Sequence, residues 1–186
     1  MKYLIVGLGN IGEEYRHTRH NIGFDILDAL AGASNTSFSD KRYAFVADAS
    51  WKGRKLKLVK PTTYVNLSGK AVNYWLQKES IPIENLLVVV DDLALPFGTF
   101  RMRGKGGDGG HNGLTDISAV LGTQDYARLR FGIGNGYPRG MQVDFVLGQW
   151  SNDEVSQLKE KFNLGVDIVR SFVTAGLHET MNQYNH

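Results

Sequence analysis

The 186-residue sequence predicts a single α/β domain, residues 1–186, in which a twisted mixed β-sheet is flanked by helices. Three observations carry that expectation. Short strand-like apolar runs alternate with segments of helical period. The run Leu86-Leu87-Val88-Val89-Val90 is continuously apolar, as a strand buried on both faces must be. The two runs on either side of Lys52-Gly53 read as a hairpin, which brings antiparallel pairing into an otherwise alternating chain.

In chain order, strands are expected at Tyr3–Gly7, Tyr43–Ser50, Lys55–Val59, Leu86–Val90, Thr99–Arg103 and Leu129–Ile133. Ile22, Ile26, Leu27 and Leu30 fall on one helical face and predict a helix over Thr18–Ala31. Leu67, Ala71, Val72, Trp75 and Leu76 do the same for Leu67–Glu79, and a shorter helix is expected over Gly113–Leu121. The last helix, Asp153–Ala175, opens on Ser151-Asn152-Asp153-Glu154, a capping-box pattern in which a serine oxygen and a glutamate carboxylate satisfy free N–H groups. The polar tail Leu177–His186 is expected to fray.

Composition excludes several function classes. With no cysteine there is no disulfide framework, thiolate metal site or cysteine nucleophile, and a reducing cytoplasm is the expected compartment. No apolar run approaches the ~20 residues that span a bilayer. The start, MKYLIVGLGN, lacks the apolar core of a signal peptide and reads as the first strand. Net charge is only +2, yet the basic residues cluster: Lys52 to Lys60, then Arg101, Arg103 and Lys105, then Arg128 and Arg130. Such clusters suit a phosphate backbone, since binding follows the local field.

Three polar segments, each after a strand-like run, hold the chemistry: Gly7–Asn21, Lys60–Gly69 and Asp91–Gly113. Gly7-Leu8-Gly9-Asn10-Ile11-Gly12 matches the dinucleotide fingerprint G-x-G-x-x-G. However, Glu13 and Glu14 stand where a phosphate would want no carboxylate, and no acidic residue closes a second strand at the required distance. His20, at the head of the first helix, is the candidate base: an imidazole near neutrality takes a proton from water if its other nitrogen is held. Asp91, leaving a buried strand, is the candidate holder. His17, His178 and His186 read as solvated. Asn10, Asn66 and Asn112 each offer a donor and an acceptor, the complement of a peptide unit. The Gly104–Gly113 loop, with six glycines, permits close backbone approach and reads as a lid. His and Asp side chains are not spaced as a metal site demands, so neither metal nor other cofactor is expected.

In order, these motifs resemble the bacterial-type peptidyl-tRNA hydrolase family: GLGN-x-G-x-x-Y-x-x-TRHN-x-GF at Gly7–Phe24, KP-x-T-aromatic-x-N-x-SG-x-AV at Lys60–Val72, D-acidic-L-x-LP-x-G and GG-x-GGHNGL within Asp91–Leu114, and RLR-x-GIG at Arg128–Gly134. The resemblance implies hydrolysis of the ester between a peptide and the terminal ribose of tRNA. The predicted helices account for the apolar faces, so a monomer is expected. His20, Asp91 and Asn10 take the catalytic positions, while Tyr15, Tyr64, Asn66 and Asn112 meet the substrate. Arg101, Arg103 and Lys105 are the candidates for tRNA phosphates. Ile11, Tyr64 and Val65 depart from the family's usual proline, phenylalanine and methionine.

Overall fold

The computed structural model describes residues 1–185; His186, read above as solvated, lies outside them. Seven strands form one mixed sheet: β1 Lys2–Gly7, β2 Ser39–Lys41, β3 Ala44–Trp51, β4 Arg54–Pro61, β5 Leu86–Asp92, β6 Phe100–Arg103 and β7 Ala127–Gly132. Their order is β2-β3-β4-β1-β5-β7-β6. β4, β1, β5 and β7 run parallel, while β3, β2 and β6 are antiparallel at the two edges. The hairpin expected at Lys52-Gly53 forms, with Trp51 opposite Arg54 and both turn residues at positive φ (48° and 82°), the geometry of a tight primed turn.

Six helices, α1 Ile22–Ala33, α2 Ser68–Lys78, α3 Asn112–Leu121, α4 Gln142–Val146, α5 Asn152–Ala175 and α6 Leu177–Tyr184, complete the fold. Alternation along β1 and β5 divides the core. Ile5, Leu87 and Val89 face α1 and α5, whereas Leu4, Val6, Val88 and Val90 face α2 and α3. Every residue from Leu86 to Val90 is fully buried, as the unbroken apolar run requires. The Ser151–Glu154 capping box is present at the head of α5. None of the described helices is long and apolar enough to cross a membrane.

Two expectations are corrected. The helix expected from Thr18 begins at Ile22, because Arg19–Asn21 forms a separate 3-10 turn that presents His20. The tail expected to fray is α6, whose Leu177, Met181 and Tyr184 pack on the core at helical spacing. Beyond it the Asn185 carboxamide accepts from Met102 N and donates to Met102 O, both at 2.8 Å, closing the free edge of β6 as a neighbouring strand would.

The Gly7, Gly9 and Gly23 positions explain the fingerprint-like start. A Cβ at Gly7 would overlap the Gly23 carbonyl, and one at Gly23 would lie 2.6 Å from Val89 O. A Cβ at Gly9 would sit 2.9 Å from Asn21 Oδ1. These glycines let α1 and its leading turn press onto β1 and β5, so their close approach serves the protein's own packing.

Candidate active site

The carboxyl ends of β1, β4 and β5 open on the same edge of the sheet, where ligands gather in open α/β folds. Here the loops after these strands bound a cavity of about 400 Å³. Asn10, His20, Asn66, Asp91, His111 and Asn112 form its polar side. Val65, Leu93, Val143, Val146 and Leu147 form its apolar wall, and Tyr64 stands at the mouth, 80% exposed. Four segments distant in sequence thus meet, and α4, which the sequence reading did not predict, supplies part of the wall.

His20 Nδ1 donates to the Asp91 carboxylate, 3.1 Å from Oδ1 and 3.3 Å from Oδ2. That fixes the tautomer and leaves Nε2 without a partner among the described residues. Burial alone would lower the His20 pKa, but the hydrogen bond and charge of Asp91 together outweigh it and raise the pKa above 6.5. Asp91 is buried, which by itself would favour its neutral form. The charges of and hydrogen bonds from two imidazoles reverse this and hold its pKa well below the usual carboxylate range.

The second imidazole is His111, to which the sequence reading gave no role beside Asp91. Its Nε2 lies 3.0 Å from Asp91 Oδ1, and its Nδ1 accepts from Gly113 N at 3.1 Å. An accepting Nδ1 puts the proton on Nε2. The His20 and His111 rings stack at 5.3 Å with 26° between planes. The signal in the sequence was its place beside Asn112, directly after the glycine loop. The expectation that His and Asp side chains are not clustered is therefore corrected: ligand atoms of His20, Asp91 and His111 lie within 4.8 Å of one another. The donor set suits hydrogen bonds better than a cation, because both imidazoles already direct N–H groups at the one carboxylate.

Asn10 is fixed by Asn21, whose carboxamide accepts from Asn10 N and donates to Asn10 O, both at 2.8 Å. The side-chain amides of Asn10, Asn66 and Asn112 make no hydrogen bond with any described residue. Tyr15, expected to meet the substrate, does not line the cavity; its carbonyl holds Thr18 Oγ1 at 2.8 Å and Thr18 N at 3.2 Å. The acidic pair divides its labour. Asp91 takes the imidazoles, while Asp92 accepts from Ala94 N in a turn and faces Arg130 at 3.7 Å.

The basic clusters also separate. Arg128, grouped above with phosphate candidates, is fully buried: it donates to Gly106 O, Gly107 O and Gln124 O. Arg130 donates to Gly107 O. These arginines fasten the middle of the glycine-rich loop read as a lid, and the neighbouring Asp108 accepts from Thr115 Oγ1 of α3. Arg101, Arg103 and Lys105 remain near that loop on β6 and beyond it, with Arg103 and Lys105 exposed and Arg101 half-buried. In the first cluster, Lys57 pairs with Asp48 and Glu79, and Lys60 pairs with Asp28.

The family model described as peptidyl-tRNA hydrolase matches residues 4–186. A peptidyl-tRNA hydrolase of Phocaeicola vulgatus is 65% identical over 185 residues, covering 100% of this chain and 99% of that protein. One of Bacteroides fragilis is 60% identical with the same coverage. Among solved structures, the peptidyl-tRNA hydrolase of Acinetobacter baumannii superposes with a TM-score of 0.91 at 33% identity, covering 98% of this chain and 94% of that one.

Proposed function

The chain belongs to the peptidyl-tRNA hydrolase family, and from that premise we propose how its cavity cleaves the ester between a peptide and the terminal ribose of tRNA. The observation that carries the reading is a tautomerically fixed imidazole, His20, ringed by three carboxamides with unspent hydrogen bonds. His20 Nε2 takes a proton from water as the water oxygen attacks the ester carbonyl. The bond to the ribose oxygen then breaks, and that oxygen takes the proton back from the imidazolium. The products are a peptide with a free carboxyl group and a tRNA with a free ribose hydroxyl. Asp91 keeps the Nδ1 proton in place and offsets the positive charge that forms on the ring.

Asn10 orients the scissile group, and Asn66 and Asn112 meet the amide groups of the peptide backbone. An aminoacyl-tRNA presents an ammonium where a peptidyl-tRNA presents an amide, so these carboxamides favour the latter. Tyr64 flanks the entering substrate. Arg101, Arg103 and Lys105 hold phosphates without reading sequence, and Ala at Lys105 is expected to weaken tRNA binding and flatten its dependence on log[salt] by roughly one unit of slope. The enzyme works as a cytoplasmic monomer and needs no metal.

The test is release of tRNA from an N-blocked aminoacyl-tRNA, with and without chelator. His20→Ala is expected to lower kcat by about 10²- to 10⁴-fold with KM little changed. Turnover that persists in His20→Ala, or that chelator abolishes in the unaltered enzyme, would overturn the reading.

A further inference from the structure

Five non-glycine residues among those described have positive φ: His17, Asn35, Tyr43, Lys52 and Ser80. Four serve ordinary connections, since Asn35 and Ser80 follow the ends of α1 and α2, and Tyr43 and Lys52 lie in turns between β2, β3 and β4. His17 is different. At φ 59° it lies in the loop after β1, three residues before His20. A left-handed conformation is costly for a side chain of this size and persists only where its surroundings enforce it.

Beside the turn's own hydrogen bond stands a second carboxylate. Expected to be solvated, the His17 ring is 60% exposed, yet its Nδ1 lies 3.0 Å from Oδ1 of Asp25, whose side chain is only 7% exposed in the first turn of α1. The bond spans eight residues and closes the chain into a ring. Inside that ring sit His20 and Asn21, the residue that grips Asn10 by both backbone groups. Burying a carboxylate and holding a histidine left-handed are both unfavourable, and both occur at the base of the segment that carries the catalytic imidazole.

We propose that His17 is a positioning residue for the hydrolytic reaction: tied to Asp25, it clamps the turn that aims His20 and Asn21 into the cavity. The inference rests on His20 acting as the base. Other ties hold the same turn, namely Thr18 Oγ1 to Tyr15 O, Arg19 N to Gly148 O and Arg19 to Glu154. Loss of the clamp therefore loosens the turn without releasing it. A small misplacement of a reacting group costs rate and leaves ground-state binding alone.

Two variants separate positioning from simple stability. His17→Gly relieves the backbone and removes the clamp. His17→Asn tolerates the left-handed conformation and places an amide Nδ2 at the same bond distance from Cβ as imidazole Nδ1, so it can donate to Asp25 in the same way. With N-blocked aminoacyl-tRNA at a temperature well below Tm, His17→Gly is expected to lower kcat about 3- to 10-fold with KM within twofold, and His17→Asn to stay within twofold of the unaltered enzyme. Unchanged kcat in His17→Gly, or an equal loss in both variants, overturns the clamp. His20→Ala, run alongside, reports on the base itself: if it keeps full turnover, the reaction scheme falls whatever His17 does.

Discussion

Two histidine–aspartate pairs stand three residues apart on one loop and have nearly the same length, 3.1 Å for His20–Asp91 and 3.0 Å for His17–Asp25. Both aspartates are buried, at 6% and 7% side-chain exposure. Their chemistry diverges all the same. Asp91 receives two largely buried imidazoles, His20 and His111, at 13% and 7% exposure, and its carboxylate stays ionised far below the ordinary range. Asp25 receives one imidazole, itself mostly in water. There burial wins over the His17 charge and hydrogen bond, Asp28 adds repulsion that Lys60 only partly offsets, and the pKa is pushed up to about 6. The charge of a buried carboxylate is thus set less by depth than by how many desolvated donors converge on it. One pair can serve chemistry at neutral pH; the other is suited to holding a loop.

Replacing each carboxylate by its amide is the sharpest way to break this contrast. Asp91→Asn turns an N–H toward one of two imidazoles that both donate, so His20 loses its fixed tautomer, and kcat should fall about 10²- to 10⁴-fold. Asp25→Asn still accepts from His17 and should leave kcat within twofold at pH 7. If both amides cost the same, the pairs are not different in kind. The measurement is initial rate of tRNA release at saturating substrate.

Removing one donor from Asp91 tests the counting argument. His111→Ala leaves His20 as the only imidazole on a buried carboxylate, which makes Asp91 resemble Asp25, and kcat should fall about tenfold because Asp91 loses the donor that holds it in place beside His20. In the unaltered enzyme, activity should decline as pH falls through a midpoint above 6.5, because the proposed base, His20, must be unprotonated to act and Asp91 raises its pKa. In His111→Ala the pH–rate profile should change shape on its acid side. An unchanged profile and rate would leave His111 a packing residue.

The smallest effect concerns stability. Asp25 has a folded pKa raised from 3.8 to about 6, so its protonated form is the one the fold favours. Its contribution is fully present below about 4 and is lost as pH rises through about 6, leaving a cost on the order of 3 kcal/mol at pH 7. Asp25→Asn, which cannot ionise, should therefore gain a few degrees of Tm at pH 7 and little at pH 4. A thermal-melt series across that range with parallel curves for the two proteins would show that His17 compensates Asp25 fully, and the contrast between the pairs would shrink.

Much of this molecule is legible in local pattern. The unbroken apolar run of β5, the hairpin at Lys52-Gly53 and the Ser151–Glu154 cap are all decided by residues close in sequence. So is the inventory of His20, Asp91 and the three asparagines, since each sits at a strand or loop exit where side chains are free to meet a ligand. What local pattern hid was the use made of ordinary residues. Arg128 looked like a phosphate contact, yet lies buried among glycine carbonyls. The tail looked too polar to pack, yet Leu177, Met181 and Tyr184 share one face of α6, and Asn185 pairs with Met102 across 83 residues.

By itself, then, the chain's order of residues determined its periodicities, its turns and which functional groups are available, because hydrophobic period and backbone preference act over a few residues. Only the tertiary structure decided that His111 shares Asp91 with His20, that Asn21 grips Asn10, and that Asp25 holds His17. Strand order and helix docking bring these partners together, and Asp91 meets a histidine 71 residues away because β5 lies beside β1 in the sheet. Their charges follow from the meeting, since a carboxylate's pKa depends on which donors share its low-dielectric surroundings and not on its neighbours in sequence.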